Sequence, residues 1–404
     1  MAFRSRRVPE DLSVNRLAAA RTRLGEIPFD LTLSNPTNCG IPYPPDLLQG
    51  LADPRGLGYE PDPRGPLPAR TAIAAGYRQW GVEVDQNRII LTASTSEAYS
   101  FLFRLLANRG DSILVPAPSY PLFEHLARLD GVETRTFDLN LDDGWRIDFS
   151  TMDLQGECVR AVIVVHPNNP TGSFVHPDDR ERLAALCRNR GWALIADEVF
   201  LPYQLEGGPG NDTSFADIRD CLCFTLGGLS KSIGLPQLKL AWIVVSGPGG
   251  DVEGALEGLE FIADAYLPVS TPVALAAPQL LTEGAAVREA ILARCRVNLE
   301  TLHRLAADHP SVDVLPVGGG WSAVLRVPAV IGDEELCLRL LEDCGVAVHP
   351  GQLFGFRIAG WLVTSLLPPV GPFTEGARLM LDLVAETLRP RHAASARHSN
   401  SGAG

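Results

Sequence analysis

The 404-residue sequence lacks a long apolar run, a basic charge balance and a secretory leader pattern. No apolar stretch approaches the roughly 18–20 residues that cross a bilayer, so we expect no membrane span. No apolar segment follows the basic residues 1–7, which argues against a secretory signal. The net charge of −13 disfavours nucleic acid and anionic membranes as partners, because both require a basic protein surface.

Cysteine and histidine lack the spacing of metal ligands. None of the eight cysteines forms a C-x-x-C pair, and Cys221 and Cys223 form only a C-x-C pair, which is a weak signal alone. The eight histidines show no ligand spacing either. We therefore expect no metal site, and free thiols in a reducing cytoplasm.

The composition that is present, with 46% hydrophobic and 21% charged residues, is typical of a globular enzyme. Between about residues 67 and 250, apolar runs that resemble buried strands alternate with helical patterns at 97–108 and 178–190. This alternation predicts a doubly wound α/β domain with a mostly parallel sheet. The strand-like runs are 89–93, 113–115, 161–165, 193–196, 222–226 and 240–245.

The last third of the chain has a different pattern. A long helical stretch at 285–308 precedes shorter strands and helices that indicate a smaller α+β domain. We expect an N-terminal segment at 1–46 that belongs to the small domain, a large domain at 47–283, the small domain at 284–390 and a disordered tail at 391–404. The small domain is predicted to contain strands at 322–327 and 361–367 and helices at 333–343 and 374–388.

Polar residues follow several strands at the edge where an open parallel sheet binds its ligands. Hydroxyls and free amides at a helix N-terminus suit a phosphate, an acid can pair with a pyridinium nitrogen, and a lysine can condense with a carbonyl. Each residue also has an ordinary explanation as a helix cap, a turn or a surface charge. The candidates are Ser94, Thr95 and Ser96 after strand 89–93, Asn169 after 161–165, Asp197 after 193–196, and Ser230, Lys231 and Lys239 after 222–226.

Their joint order is what a pyridoxal phosphate site requires. The motifs Asn169-Pro170-Thr171-Gly172, Ala196-Asp197-Glu198 and Leu229-Ser230-Lys231, with Gly58-Tyr59 followed by Gly65, resemble the aspartate/alanine aminotransferase superfamily. These are the fold-type I, class I/II pyridoxal-phosphate enzymes, and the resemblance covers roughly residues 30 to 388. It implies a large domain with a seven-stranded-type sheet sandwiched by helices, a smaller α+β domain and a homodimer with shared active sites.

The resemblance also implies roles for single residues. Lys231 resembles the lysine that forms the internal aldimine and moves a proton, Asp197 the partner of the pyridine nitrogen, Asn169 the donor to the phenolic O3′, and Tyr120 the ring stacked on the cofactor. The segment from Asn35 to Gly40 resembles the one that closes over substrate. The phosphate ligands that it implies are Ser94, Thr95, Ser96, Ser230, Lys239 and, from the neighbouring subunit, Tyr59.

Three positions depart from the family pattern. Phe200 replaces a tyrosine whose hydroxyl reaches O3′, with Tyr203 as a candidate substitute, and Lys239 replaces an arginine. Val363 replaces the arginine that clamps the substrate α-carboxylate, a loss of about 2–4 kcal/mol. The substrate then lacks a free α-carboxylate or binds it differently. The candidate replacements and neighbours are Arg357, Arg64 from the partner subunit, and Trp321.

The leading hypothesis is therefore an aminotransferase that moves an amino group between an amino acid and a keto acid through Lys231. An alternative keeps the cofactor and changes the reaction to elimination, cyclisation, oxidation or decarboxylation, since one scaffold hosts several chemistries. A third hypothesis, a cofactor-sensing regulator, needs a DNA-binding module for which the N-terminal thirty or so residues are too short and the charge is wrong.

Overall fold

The computed structural model describes residues 5–153, 158–206 and 213–388. The strands in these ranges are β1 Phe29–Asp30, β2 Ile89–Thr92, β3 Ser112–Ala117, β4 Glu133–Asn140, β5 Arg146–Ile147, β6 Val159–Val165, β7 Ala193–Asp197, β8 Cys223–Gly228, β9 Ala241–Ser246, β10 Asp313–Val314, β11 Ser322–Arg326, β12 Val346–Ala347, β13 His349–Pro350 and β14 Trp361–Ser365. The helices are α1 Arg16–Leu24, α2 Leu67–Tyr77, α3 Thr95–Leu106, α4 Phe123–Asp130, α5 Phe149–Asp153, α6 Pro177–Arg190, α7 Leu229–Ser232, α8 Gly249–Asp264, α9 Thr271–Glu283, α10 Ala285–Ala306, α11 Asp333–Cys344 and α12 Val370–Thr387.

The large sheet has the strand order β2-β9-β8-β7-β6-β3-β4-β5. Strands β4, β3, β6, β7 and β8 run parallel to one another, and β9 runs antiparallel to both of its neighbours. Seven long strands form a mostly parallel sheet, which confirms the expected α/β fold. The two-residue β5 adds a short antiparallel edge to β4.

The central strands are buried because helices cover both faces of the sheet. Alternate residues of β6 show this directly, since Ile163 packs with the core under α3 and α8, whereas Val162 and Val164 pack with the core under α6. Burial on both faces requires continuous apolar strands, which is why the runs at 161–165 and 193–196 predicted strands correctly.

The small antiparallel sheet has the order β10-β11-β14-β13, and β1 pairs in parallel with β12. Residues near the N-terminus therefore pack against the last third of the chain, and α1 contacts α11. The helices expected at 333–343 and 374–388 and the strands at 322–327 and 361–367 are present as α11, α12, β11 and β14.

The domain bounds themselves remain a prediction, and the tail expected at 391–404 lies outside the described residues. Within the described residues, no helix is long and apolar enough to cross a membrane. The functional consequence of the fold is that β2, β3, β6, β7 and β8 all present their carboxyl ends at one edge of the large sheet.

Candidate active site

Lys231 lies in the short helical turn α7, directly after the carboxyl end of β8. Its Nζ is 4.7 Å from the centroid of the Trp321 ring and 5.4 Å from that of Phe200. Burial lowers the pKa of Lys231 to about 8, although the charge of Asp197 opposes the shift. Within the described residues, Nζ makes no hydrogen bond or ion pair, so this amine is available for a ligand.

Asp197 ends β7 and is buried. Its Oδ2 accepts a hydrogen bond of 2.8 Å from the Tyr99 hydroxyl, and its Oδ1 accepts one of 3.1 Å from the Val199 amide. Burial raises the pKa of the Asp197 carboxyl, and both hydrogen bonds oppose that shift. A buried carboxylate with two donors still needs a positive partner, and a protonated ring nitrogen would supply one.

The two asparagines after β6 have different roles. The buried Asn168 donates to the Pro118 carbonyl at 3.0 Å and to the Thr171 hydroxyl at 2.9 Å, and accepts from the Ser119 hydroxyl at 2.7 Å. Asn169 is only half-buried, and its side chain has no partner among the residues that the structure describes. Asn168 therefore holds the loop together, whereas Asn169 has a free amide to offer to a ligand.

The N-terminus of α3 can bind an anion mainly through its backbone amides, since the Ser94 side chain already caps the helix. Ser94 is the N-cap residue, and its Oγ accepts a hydrogen bond of 3.2 Å from the Glu97 amide. The ordinary reading of Ser94 as a helix cap is thus correct, although its hydroxyl proton can still be donated. Thr95 and Ser96 occupy the first turn, where free amides and the helix dipole favour an anion.

Other predicted cofactor ligands lie nearer the surface. Lys239 is exposed and has a left-handed backbone with φ of 51°. Tyr59 is 73% exposed in the single chain, so it has room to reach another molecule. Tyr120 is half-buried, with its ring edge-on to Phe123 at 5.7 Å. Ser230 is half-buried beside Lys231.

Tyr203 is not free to replace the hydroxyl that Phe200 lacks. It is fully buried, and its hydroxyl donates to the backbone carbonyl of Lys231. Its ring and that of Phe200 both pack edge-on against Trp321, at 5.0 and 5.3 Å. The buried Nε1 of Trp321 has no hydrogen-bond partner among the described residues, so Trp321 brings an unused donor to the surroundings of Lys231.

The candidate carboxylate clamps are already paired. Arg64 makes a two-pronged ion pair with Glu260 at 2.7 and 3.0 Å and also donates to the Asn87 carbonyl, so three of its five N–H groups are already used. Arg357 pairs with Asp138 at 2.6 Å, but its side chain is 64% exposed. Exposed pairs contribute at most about 1 kcal/mol, so Arg357 can exchange Asp138 for another carboxylate.

Val363 is buried in an apolar cluster. It is 1% exposed and packs with Val324 and with the aromatic residues Trp145, Phe356 and Trp361. The rings of Phe356 and Trp361 stack at 4.9 Å. The members of this cluster are all apolar, and among the described residues the cation beside one of its rings is Arg326, whose Cζ lies 5.8 Å from the centroid of the Trp361 ring.

The segment from Asn35 to Gly40 is tied to the body of the protein. Asn35 is exposed, and its Oδ1 accepts from the amide and hydroxyl of Thr37, while Gly40 has a left-handed φ of 64°. The Cys39 carbonyl accepts a hydrogen bond of 3.1 Å from Arg294, which also donates to the Leu367 carbonyl at 3.2 Å. Arg294 thus joins this segment to the residues that follow β14.

The structure adds Tyr99 and Arg294, which the sequence pattern did not single out. Together with the predicted residues, the donor set fits pyridoxal phosphate. It offers one reactive amine, one buried carboxylate, one free amide and one helix N-terminus at a common sheet edge. The residues that would hold the cofactor are Lys231, Asp197, Asn169, Tyr120, Thr95 and Ser96.

Comparisons with known proteins agree with this geometry. The alanine aminotransferase from Pyrococcus furiosus has the same fold, with a TM-score of 0.82 at 22% identity, over 93% of this chain and 100% of that one. The chain is 26% identical to the glutamate-pyruvate aminotransferase AlaA of Haemophilus influenzae, over 85% of this chain and 87% of the relative. It is 28% identical to the arginine–pyruvate transaminase AruH of Pseudomonas aeruginosa, over 92% and 93% respectively.

The architecture is thus that of a fold-type I aminotransferase. The family model described as aminotransferase class I and II matches residues 45–368, and the chain belongs to this family. Enzymes of the family use pyridoxal phosphate and act on amino acids and keto acids. The chain is accordingly a transferase of amino groups.

Proposed function

We propose that the chain is an aminotransferase in which Lys231 holds pyridoxal phosphate covalently and an amino acid and a keto acid exchange the amino group. The state of the Lys231 Nζ supports this most strongly. This amine makes no hydrogen bond or ion pair with the described residues, and its pKa is lowered to about 8. At pH 7 about a tenth of such amines are neutral, far more than for a solvated lysine.

Lys231 and the residues around it have separate roles in the proposed reaction. Pyridoxal phosphate, when bound, withdraws electrons from the substrate carbon that carries the amino group, which makes the proton on that carbon acidic. Once displaced from the cofactor by the incoming amine, the Lys231 Nζ would take that proton and deliver it to the cofactor carbon that carried the aldehyde. The Asp197 carboxylate pairs with the ring nitrogen, and Tyr99 holds that carboxylate in place at 2.8 Å.

Other side chains bind and shield. The Asn169 amide donates to the ring oxygen, and the first turn of α3 with Thr95 and Ser96 binds the phosphate. The aromatic rings of Tyr120, Phe200 and Trp321 exclude water from the reacting atoms.

The proposal includes a homodimer in the cytoplasm. The exposed Tyr59 and Leu57, at 73% and 93%, support a second copy that covers this surface and receives Tyr59 at its own phosphate. The free Cys158 is exposed, which fits a reducing compartment. Sedimentation of the purified protein tests the dimer, and cell fractionation tests the compartment.

A second candidate concerns the substrate. The apolar cluster around Val363 favours an amine donor without an α-carboxylate, or a carboxylate held by Arg357 at the rim. If the reaction is not transamination, the alternative is elimination, cyclisation, oxidation or decarboxylation of an amino-acid-like substrate.

A single-turnover experiment tests the reaction type. Mixing the enzyme with an amino donor and no keto acid should release one keto product per active site and then stop. Adding a keto acid should restart the reaction, and Lys231→Ala should release none. Continued turnover without a keto acid, with ammonia release or oxygen uptake, would contradict transamination.

Matched donors test the substrate class. Phenylalanine and phenethylamine differ only by the carboxylate, as do alanine and ethylamine. If the carboxylate is recognised through charged hydrogen bonds worth about 2–4 kcal/mol, each amino acid should exceed its amine by about 30- to 700-fold in kcat/KM. Equal or reversed values would favour an amine donor without an α-carboxylate.

A further inference from the structure

A cavity of 330 Å³ lies behind the turn that carries Lys231. Gly227, Gly228 and Ser232 line it, and these residues flank Lys231 in the chain. The opposite wall is formed by α2 and the residues that follow it. Neither Lys231 nor Asp197 is among the lining residues, so the cavity is separate from the candidate cofactor site.

Gly76 both lines the cavity and is exposed to solvent, so it marks the mouth of the cavity. Gly76 lies near the end of α2 without a left-handed φ, and a Cβ added there would meet no heavy atom within 4 Å. Glycine costs about 1 kcal/mol relative to alanine inside a helix. No backbone or packing constraint accounts for that cost, and the missing side chain leaves the mouth open.

Two polar groups that line the cavity have no hydrogen-bond partner among the described residues. The Oγ of Ser232 is buried and makes no hydrogen bond with any described residue. The side chain of Arg288 is only 21% exposed, and its nearest carboxylate, Glu289, is 3.8 Å away. Arg288 therefore has one long ion pair with a carboxylate that is 67% exposed, and no hydrogen bond from the described residues, so a ligand anion can compete for it. The buried Ser232 hydroxyl has no partner among the described residues, which is costly for a buried polar group.

The acidic residue in the cavity does not neutralise Arg288. Both oxygens of Glu198 accept hydrogen bonds from elsewhere, at 2.7 Å from the Ser214 hydroxyl and at 2.5 Å from the Phe215 amide. Burial raises the pKa of Glu198 to about 8, so its carboxyl is mainly uncharged at pH 7 and does not repel an anion.

The remaining lining is mostly apolar and includes Ile73, Trp80, Val199 and Leu226, with Tyr77 and Gln79 as further polar residues. A cavity of this size with an apolar wall and a few convergent polar groups suits a small organic ligand. We propose that it is a second ligand site, which binds a small carboxylate with an apolar body, its charge on Arg288 and Ser232. The site does not depend on the proposed transamination, because none of its residues takes part in that reaction.

Direct binding to the holoenzyme tests this site without an activity readout. The probe is 4-fluorophenylacetate, observed by ¹⁹F NMR, with the neutral 4-fluorophenylacetamide as its isostere. We expect saturable binding of the acid, and at least tenfold weaker binding of the amide, since the charged hydrogen bond to Arg288 is lost.

Variants of the cavity residues test where the probe binds. Arg288→Gln should weaken binding at least tenfold, and Gly76→Trp should abolish it by filling the mouth. The matched controls are Gly76→Ala and Arg304→Gln, an exposed arginine on the same helix, and both should bind as the wild type does. If Gly76→Trp does not fold, Arg288→Gln alone decides.

Two outcomes would overturn the proposal. One is the absence of saturable binding up to about 10 mM, ten times a Kd of 1 mM. The other is unchanged affinity in Arg288→Gln or in a folded Gly76→Trp, which would place the acid elsewhere. Neither outcome bears on keto acid release, so this proposal and the proposed function fail separately.

Discussion

The half-buried Lys231 side chain, whose amine has no hydrogen bond or ion pair among the described residues, should destabilise the cofactor-free protein at neutral pH. Its pKa is lowered from 10.5 to about 8 in the folded chain, which corresponds to roughly 3 kcal/mol of lost stability when the amine is charged in both states. Replacement by methionine removes the charge and keeps the length of the side chain. Lys231→Met should therefore unfold at a higher urea concentration than the wild type at pH 7.

The sign of the pH dependence follows from proton binding. Above pH 8 the folded state has lost the Lys231 proton while the unfolded state keeps it, so stability of the wild type rises with pH until about 10.5. The advantage of Lys231→Met should shrink by roughly 3 kcal/mol over that range.

Urea unfolding followed by circular dichroism, at matched protein concentrations and at pH 7 and 10, measures this change. Lys239→Met is the matched control. Lys239 is the only other lysine in the sequence and it is exposed, so its replacement should shift stability by no more than about 0.5 kcal/mol at either pH. A Lys231→Met advantage that is absent at pH 7, or equal at both pH values, would refute the burial argument.

Three further predictions concern the site. Tyr99→Phe removes the 2.8 Å hydrogen bond to Asp197, which should lower kcat about tenfold and raise the pKa of the acid limb of the activity profile, as steady-state kinetics across pH would show. Asn168→Ala should lower the free energy of unfolding in urea by roughly 2–4 kcal/mol, because it leaves buried partners without their hydrogen bonds. Asn169→Ala should change that free energy by less than about 1 kcal/mol and should change the absorbance of the bound cofactor. Equal losses of stability would contradict the different roles of the two asparagines. Tyr59→Phe should weaken cofactor binding, measured by equilibrium dialysis, without changing stability.

The strands that are buried on both faces could be predicted, because such strands are continuous apolar runs in the sequence. Strands β6 and β7 are covered on both faces, and their sequences are almost entirely apolar. Strand β4 lies next to the edge, and only Phe137 among its residues is buried. Its polar sequence, Glu-Thr-Arg-Thr-Phe-Asp-Leu-Asn, therefore gave no such signal.

The site could be predicted where its residues sit in contiguous motifs at strand ends. Lys231, Asp197 and Asn169 belong to that class. The roles of Tyr99 and Arg64 depend on partners that are 98 and 196 residues away. No local pattern discloses such pairs, which is why Tyr99 was missed and why Arg64 was proposed as a clamp although Glu260 already occupies its fork.

The proposed function requires that pyridoxal phosphate be joined to the Nζ of Lys231. Borohydride reduction of the cofactor-saturated enzyme, followed by proteolysis and mass spectrometry, tests it directly, and with two lysines in the chain the assignment has only two outcomes. We expect the reduced cofactor on the peptide that contains Lys231 and none on Lys239. An unmodified Lys231, or modification of Lys239 alone, would contradict the proposed function.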